Sequence, residues 1–148
     1  MARYAFIATH DLEGITLSGG EPMLQAEGLA SPIRRVRKER PHLSTITFSG
    51  FTFAQLRRKA LLEPGIKDLL GQLDVLIYGL YSADLNDGLG LRGSSNQRVY
   101  FLTARYEDRK EEFALGPREI QIHLLKKRDA DGRRALCKFL RNLSVTCQ

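Results

Sequence analysis

The chain has 148 residues, a length that favours a single domain with its own hydrophobic core. Its content of 43% hydrophobic and 27% charged residues is ordinary for a globular protein, and no apolar run is long enough to span a membrane. The net charge of +6 is compatible with an anionic partner, but a solvated basic surface is the simpler interpretation, since no aromatic residues are interleaved with the basic clusters. The amino-terminal residues lack the long apolar region of a signal peptide, so we expect a cytoplasmic protein.

The first part of the chain combines short helical and strand patterns. A helical piece is predicted over 3–10, a short β-rich strand over 15–18 and a helix over 23–30. Ser31 followed by Pro32 is typical of an N-cap with proline at the first helical position, which predicts that the helix kinks or restarts there. Ile33 and Val36 would then face the core.

The middle of the chain alternates more clearly between strand and helix. Residues 44–50 alternate and are rich in β-branched side chains, which predicts a strand. Thr52 and Gln55 form a capping-box pattern at the start of a helix that runs to about Leu62. Residues 74–80 predict a nearly continuous apolar strand, as is typical of parallel strands that are covered on both faces.

A long polar loop over 81–97 precedes the last predicted elements. Loops of this length in compact domains are usually functional or disordered. Strands are predicted over 98–103 and 118–125, and a last helix is predicted over about 132–143, where apolar residues recur at helical spacing after a capping Asp131. The alternation of strands and helices predicts an α/β fold with a mostly parallel sheet.

The chain contains two cysteines, Cys137 and Cys147. Their spacing matches no zinc or redox motif. Cys137 falls within the predicted last helix and is expected to be a small buried hydrophobic residue, whereas Cys147 is expected in a frayed terminus.

The stretch Gly19-Gly20-Glu21-Pro22 stands where a strand is predicted to give way to a helix. Parallel α/β folds bind ligands at the carboxyl ends of their strands, and glycines allow the backbone to approach a ligand closely. Pro22 restricts Glu21 to an extended conformation, which would hold its carboxylate ready for a ligand ammonium group. Alternatively, this is a tight strand-to-helix turn in which Glu21 favours the helix dipole.

Two segments resemble one family. TLSGGEPMLQ resembles the GGEP segment of the radical S-adenosylmethionine (SAM) superfamily, and LRGSSNQR, within 85–103, is similar to a segment of the activating proteins of anaerobic ribonucleotide reductase. The pyruvate formate-lyase activating enzymes are similar as well. The resemblance covers roughly residues 3–125 and implies a partial, mostly parallel β/α barrel.

The resemblance also implies a binding site for SAM. In that family the GGEP loop binds the methionine part, with the glutamate near the ammonium group; carried over to this chain, Ser49 at the end of the strand over 44–50 would lie near the ribose. The implied SAM-binding residues are Gly19, Gly20, Glu21, Ser49, Asn96 and Arg98. For Asn96 a hydrogen bond to its own loop backbone, and for Arg98 an ion pair with an acid, are structural alternatives.

Two departures from the family pattern change this expectation. The family holds a [4Fe–4S] cluster by three cysteines of a CxxxCxxC loop before GGEP, but no cysteine precedes Cys137 here. Where the relatives have Asp-Gly-Pro-Phe or similar, this chain has Tyr78-Gly79-Leu80-Tyr81. We therefore expect a single truncated domain over 1–148 that lacks the first βα unit, holds no metal, has no catalytic residues of its own and does not cleave SAM alone.

Three hypotheses for function follow. The first is a truncated radical SAM-type activating protein whose partner is a glycyl-radical enzyme. The second is a non-enzymatic descendant that binds SAM, a nucleotide or a protein partner, and the third is a basic nucleic-acid-binding protein, which is less favoured. Without the first βα unit, strand 15–18 would be an exposed edge, which predicts a homodimer through that edge or poor solubility.

Overall fold

The computed structural model describes residues 13–117 in full, together with the backbone of two strands over 122–128 and 134–140. The helical piece predicted over 3–10 and the position of Cys147 lie outside the described residues. Among the residues that are described, no helix combines the length and the apolar character needed to cross a membrane.

Four strands form the main sheet. They are β1 (Gly14–Leu17), β2 (Ser44–Ser49), β3 (Val75–Tyr78) and β4 (Arg98–Phe101), and they lie in the order β1-β2-β3-β4. β1, β2 and β3 are parallel, whereas β4 runs antiparallel to β3 because the loop between them returns the chain without a crossover helix. The α/β class and the mostly parallel sheet are confirmed, while the partial barrel and the missing first βα unit stay predictions.

Four α-helices accompany this sheet in the described part of the chain. They are α1 (Ala26–Glu39), α2 (Phe53–Leu62), α3 (Pro64–Leu70) and α4 (Lys110–Leu115). The capping box at the start of α2 is confirmed, since Thr52 accepts from the Gln55 amide and the Gln55 side chain accepts from the Thr52 amide. The end of α2 at Leu62 also agrees with the predicted boundary.

The predicted restart at Pro32 is wrong, because α1 continues through this proline. Ala26 and Ala30 before the proline and Ile33 after it are all buried. One buried face therefore runs along both halves of the helix, and its packing outweighs the hydrogen bond that proline cannot donate. Ile33 faces the core as predicted, whereas Val36 is only half-buried.

Apolar side chains fill both faces of the sheet. On the face of α1, α2 and α3, a cluster of buried residues joins these helices to Leu76 of β3; it comprises Met23, Ala26, Ala30, Leu56, Ile66, Leu69, Leu73 and Leu76. On the other face, Val75 and Ile77 pack with Leu91, Tyr106 and Phe113. β3 is thus covered on both faces, as its continuous apolar pattern predicts.

A buried carboxylate ties several segments together at the amino end of β3. The side chain of Asp74 is 1% exposed and accepts hydrogen bonds from Arg37 at 2.7 Å, from the Thr45 amide at 2.9 Å and from the Thr103 hydroxyl at 2.8 Å. Burial alone would raise the pKa of Asp74, but these hydrogen bonds together lower it below its ordinary value. Asp74 therefore links α1, β2 and the segment after β4 to β3.

The last two described elements form a hairpin of β5 (Ile122–Arg128) and β6 (Arg134–Leu140). The prediction of a helix over 132–143 is wrong for the residues of β6. Its apolar residues fit helical spacing, but short apolar runs are ambiguous in period, and antiparallel pairing with β5 supplies the backbone hydrogen bonds. Cys137 consequently lies in a strand, opposite Leu125.

Candidate functional site

Three chain turns gather at the carboxyl end of the parallel strands. They follow β1 at Ser18–Glu21, β2 at Gly50 and β3 at Gly79. Because β1, β2 and β3 are parallel and in register, these turns lie at one edge of the sheet. This is the edge at which open α/β sheets bind ligands.

The Gly19-Gly20 turn requires glycine for its backbone conformation. The φ angles are +94° at Gly19 and +58° at Gly20, in the region that side chains disfavour. Both residues are exposed, and a Cβ at Gly19 would meet no atom within 4 Å. The glycines therefore leave the peptide groups of this turn open to an incoming ligand, rather than making room for a neighbouring element.

The carboxylate of Glu21 joins the turn after β1 to the end of β2. Oε1 accepts from the Met23 amide at 3.1 Å and from the Ser49 hydroxyl at 2.9 Å, while Oε2 accepts from the Gly50 amide at 2.7 Å. Glu21 is also the N-cap of the short 3₁₀ helix Pro22–Gln25. The helix-start interpretation of this acid is therefore confirmed, and about one of the roughly four acceptor positions of a carboxylate stays available for a ligand.

The buried hydroxyl of Ser49 holds the Glu21 carboxylate in position. The Ser49 side chain is buried, donates to Glu21 and accepts from the Phe51 amide at 3.2 Å. The hydroxyl is thus committed to two protein groups, which suits a residue that positions the carboxylate. The ribose contact that the resemblance implies for Ser49 stays a prediction.

The loop over 81–97 is clamped onto the turn after β3. Gln97 is buried; its Oε1 accepts from the amides of Gly93 at 2.8 Å and Ser94 at 3.3 Å, and its Nε2 donates to the Gly79 carbonyl at 2.8 Å. Sequence reasoning missed Gln97. The available signal was its position as the last residue of a polar loop, directly before a strand, where a buried amide can pair with turn backbone.

Asn96 and Arg98 flank this glutamine in different ways. Asn96 donates from Nδ2 to the Leu80 carbonyl at 2.8 Å, so its described partner is the opposite turn rather than its own loop. Arg98 is exposed, begins β4 opposite Tyr78, and takes part in no ion pair within residues 13–117. The acid partner considered for Arg98 is therefore not present among those residues.

The two motifs are linked through residues that lie between them. A Cβ built at Gly50 would lie 3.4 Å from Glu21 Oε2 and 3.4 Å from Leu80 Cδ2. Glu21 accepts from the Gly50 amide, Leu80 lies next to Gly50, and Asn96 donates to the Leu80 carbonyl. The structure therefore brings the first motif and Asn96 to one edge of the sheet, and Arg98 lies beside them at the start of β4.

The basic cluster of α1 is largely engaged in ion pairs. Arg34 pairs with Asp68, Arg35 with Glu39 at 3.0 Å, and Arg37 with Asp74 at 2.7 Å. These carboxylates partly neutralise the positive charge that the sequence concentrates in α1. The cluster therefore gives no added support to a nucleic-acid interface.

The described residues offer no set of metal ligands. Within them, no group of three or more His, Cys, Asp and Glu side chains is arranged to hold a metal ion. The sequence adds only Cys137 and Cys147 as thiol donors.

Comparison with known proteins identifies a family. A family model described as a 4Fe-4S single cluster domain matches residues 2–100. No curated protein and no solved structure matches the chain. The matched residues include the Gly19-Gly20 turn and the loop over 81–97, but neither cysteine.

Proposed function

Because the chain belongs to the family of 4Fe-4S single cluster domains, we propose that it is the SAM-binding part of a radical SAM-type activating protein. The family match is consistent with a relation to radical SAM proteins. The finer assignment depends on the two motifs, whose order and mutual contacts agree with one ligand site. The activity proposed for these residues is binding of SAM, without its cleavage.

The observation that carries the proposal is the open Gly19-Gly20 turn beside a fixed carboxylate. Glu21 is held by three donors from two chain segments, so the turn before it is fixed in place without ligand. Such a preorganised turn binds with little loss of conformational entropy. Its peptide groups and the remaining acceptor position of Glu21 suit the amino and carboxylate groups of an amino-acid ligand.

The residues at hand do not fit an iron–sulfur cluster. [4Fe–4S] clusters are held by cysteine thiolates, and residues 2–100 contain none. Cys137 and Cys147 are two donors, fewer than the three that the family uses. We therefore derive no redox step for these residues and assign them the SAM-binding role alone.

The partner that this proposal implies is a glycyl-radical enzyme, as in the activating proteins that the two motifs resemble. No motif in the sequence marks a docking surface for this partner. A homodimer through the outer strand β1 is a separate proposal, supported by its position at the edge of the four-stranded sheet.

Calorimetric titration with SAM tests the proposal. We expect Gly19→Ala to weaken SAM binding at least about tenfold, because a side chain disfavours φ of +94° and the turn must shift. Gly88→Ala is the matched control, since Gly88 also has a positive φ, +71°, with no atom within 4 Å of a Cβ. Absence of SAM binding by the wild-type protein would refute the proposed function.

A non-enzymatic binding protein is the second candidate, and the lack of three thiolates favours it. Reconstitution with iron and sulfide tests the binding-only role that both candidates share. Cluster absorbance in quantity, or formation of 5′-deoxyadenosine, would contradict both candidates, since each limits these residues to binding. A nucleic-acid-binding protein is the third candidate, and a gel shift with DNA or RNA at low salt tests it.

A further inference from the structure

The hairpin of β5 and β6 belongs to the part of the chain that carries most of the net charge. Residues 118–148 contain eight lysines and arginines against three aspartates and glutamates, and they thus supply five of the net six positive charges. The hairpin also lies outside residues 2–100, which the family model matches. Neither the family match nor the candidate site at the carboxyl ends of the parallel strands therefore accounts for this charge.

The register of the hairpin brings cations from both strands to one face. Arg128 pairs directly with Arg134, while Lys126 and Lys138 each pair with a leucine, and neither strand contains an acidic residue. Residues two apart on a strand share a face, and directly paired residues of antiparallel strands share one as well. Lys126, Arg128, Arg134 and Lys138 consequently lie on one face, which we call the cationic face. The helix predicted over 132–143 would not have produced this pairing.

The cationic face changes in character along the hairpin. Arg128 ends β5 and Arg134 begins β6, so this pair lies next to the turn between the strands. Ile122 pairs with Leu140 at the other end of the same face. The positive charge is therefore concentrated towards the turn, which is the end of a hairpin that can enter a groove.

The opposite face of the hairpin is mainly apolar. Leu125 pairs there with Cys137, and Phe139 pairs with His123. Four cations without a counter-charge on the same face would lose much hydration free energy in an apolar interior. The opposite face therefore suits contact with protein, whereas the cationic face suits an anionic partner.

We propose that the cationic face binds the phosphates of a DNA duplex, with the hairpin lying in the major groove. Paired strands lie about 5 Å apart, and the major groove of B-form DNA, about 12 Å wide, admits a two-stranded ribbon. Arginine donates through a planar fork that matches phosphate oxygens, and each phosphate that a cation neutralises releases bound counter-ions. This activity does not depend on the proposed function, because none of its residues belongs to the Gly19-Gly20 turn or the loop over 81–97.

Duplex DNA fits this face better than the other common polyanions do. The major groove of A-form RNA is deep and narrow, which excludes a two-stranded ribbon. Binding to an anionic membrane grows with the apolar area that enters the bilayer. The face opposite the cations provides little such area, because Leu125 and Phe139 are its large apolar residues and Lys127 lies among them.

Fluorescence anisotropy with the full-length protein and a short labelled DNA duplex of mixed sequence tests this inference. Four neutralised phosphates predict a slope of about −3.6 for the logarithm of the association constant against that of the salt concentration. Affinity should therefore fall about 150-fold between about 50 and 200 mM salt. The fourfold variant removes the charge of the cationic face and comprises Lys126→Gln, Arg128→Gln, Arg134→Gln and Lys138→Gln. We expect this variant to lose most of the slope and to bind at least about tenfold more weakly at low salt.

A matched control removes the same charge from another part of the chain. Its four positions are exposed and take part in no ion pair within residues 13–117; the substitutions are Lys38→Gln, Arg40→Gln, Arg57→Gln and Arg58→Gln. We expect the control to keep the wild-type slope. The single substitution Lys126→Gln should reduce the slope by about 0.9, and it tests the same face if the fourfold variant fails to fold.

Three results would overturn the inference. The first is a wild-type protein that leaves the anisotropy of the duplex unchanged at low salt. The second is an equal slope for the fourfold variant and the control, or for Lys126→Gln and wild type. The third is binding of duplex RNA as tight as that of DNA, or binding of phosphatidylserine vesicles without binding of DNA. Circular dichroism of each variant shows that a loss of binding is not a loss of fold.

Discussion

The substitution Glu21→Gln tests whether the Glu21 carboxylate holds the turn in place or serves only to contact a ligand. In the wild type, three donors converge on its two oxygens, at 3.1 and 2.9 Å on Oε1 and at 2.7 Å on Oε2. Glutamine keeps the shape but replaces one oxygen by an NH₂ group, which would face a donor. If Glu21 holds the turn, the substitution therefore destabilises the protein even without ligand.

The size of this destabilisation is set by whichever of the two amide orientations costs less free energy. With the amide nitrogen at the Oε2 position, the bond from Gly50 is lost, and the bonds from Met23 and Ser49 lose their charge assistance. A hydrogen bond to a charged group contributes roughly 1.5–3 kcal/mol, and half-exposure of Glu21 reduces this. We expect a loss of about 2 kcal/mol in the free energy of unfolding.

Urea unfolding without ligand measures this loss. For a domain of this size, about 2 kcal/mol lowers the urea midpoint by roughly 1 M. Glu27→Gln is the matched control, since it removes the same charge from an exposed glutamate on the first turn of α1. Equal midpoints for Glu21→Gln and Glu27→Gln would refute the inference that Glu21 fixes the turn.

Three further expectations concern stability and assembly. Asp74→Asn should cost about 3 kcal/mol at pH 7 in urea unfolding, against little change for the exposed control Asp84→Asn. Because the folded pKa of Asp74 lies below its ordinary value of 3.8, its contribution is present above pH 3.8 and lost as pH falls through the lowered pKa, so the gap between Asp74→Asn and wild type should close in acid. Gly90→Ala should unfold at a lower temperature than Gly88→Ala, because a Cβ at Gly90 would clash with the Phe113 carbonyl oxygen while Gly88 has open space. Equal melting temperatures would contradict this close approach. Light scattering should show a dimer that Thr16→Lys, a charge on the outer strand, converts to monomer, and a wild-type monomer at high concentration would remove the edge-pairing proposal.

Local chemistry made much of the fold predictable. The capping box at Thr52 and the continuous apolar run of β3 each depend on neighbouring residues, and both are confirmed. The restart at Pro32 and the helix over the segment of β6 were mispredicted because tertiary contacts decide them. The buried face of α1 carries the helix through its proline, and β6 pairs with β5 although its apolar residues also fit a helix.

The candidate site was predictable only in part for a similar reason. Gly19, Gly20 and Glu21 stand together in sequence, so their pattern was visible. The roles of Ser49 and Gln97 depend on residues 28 and 18 positions away, which no local pattern encodes. Contacts between distant segments thus bring two separate motifs to one site. These contacts are the part of the site that could not be predicted from the sequence.

The buried Asp74 makes one end of the main sheet more firmly held than the other. Its carboxylate fastens α1, β2 and the segment after β4 at the amino end of β3, far from the turns that follow the parallel strands. The end that carries this fastening is poorly suited to insertions, whereas the exposed Gly19-Gly20 turn at the opposite end has open space around it. Lengthening the Gly19-Gly20 turn should therefore alter what the protein binds before it alters whether the protein folds.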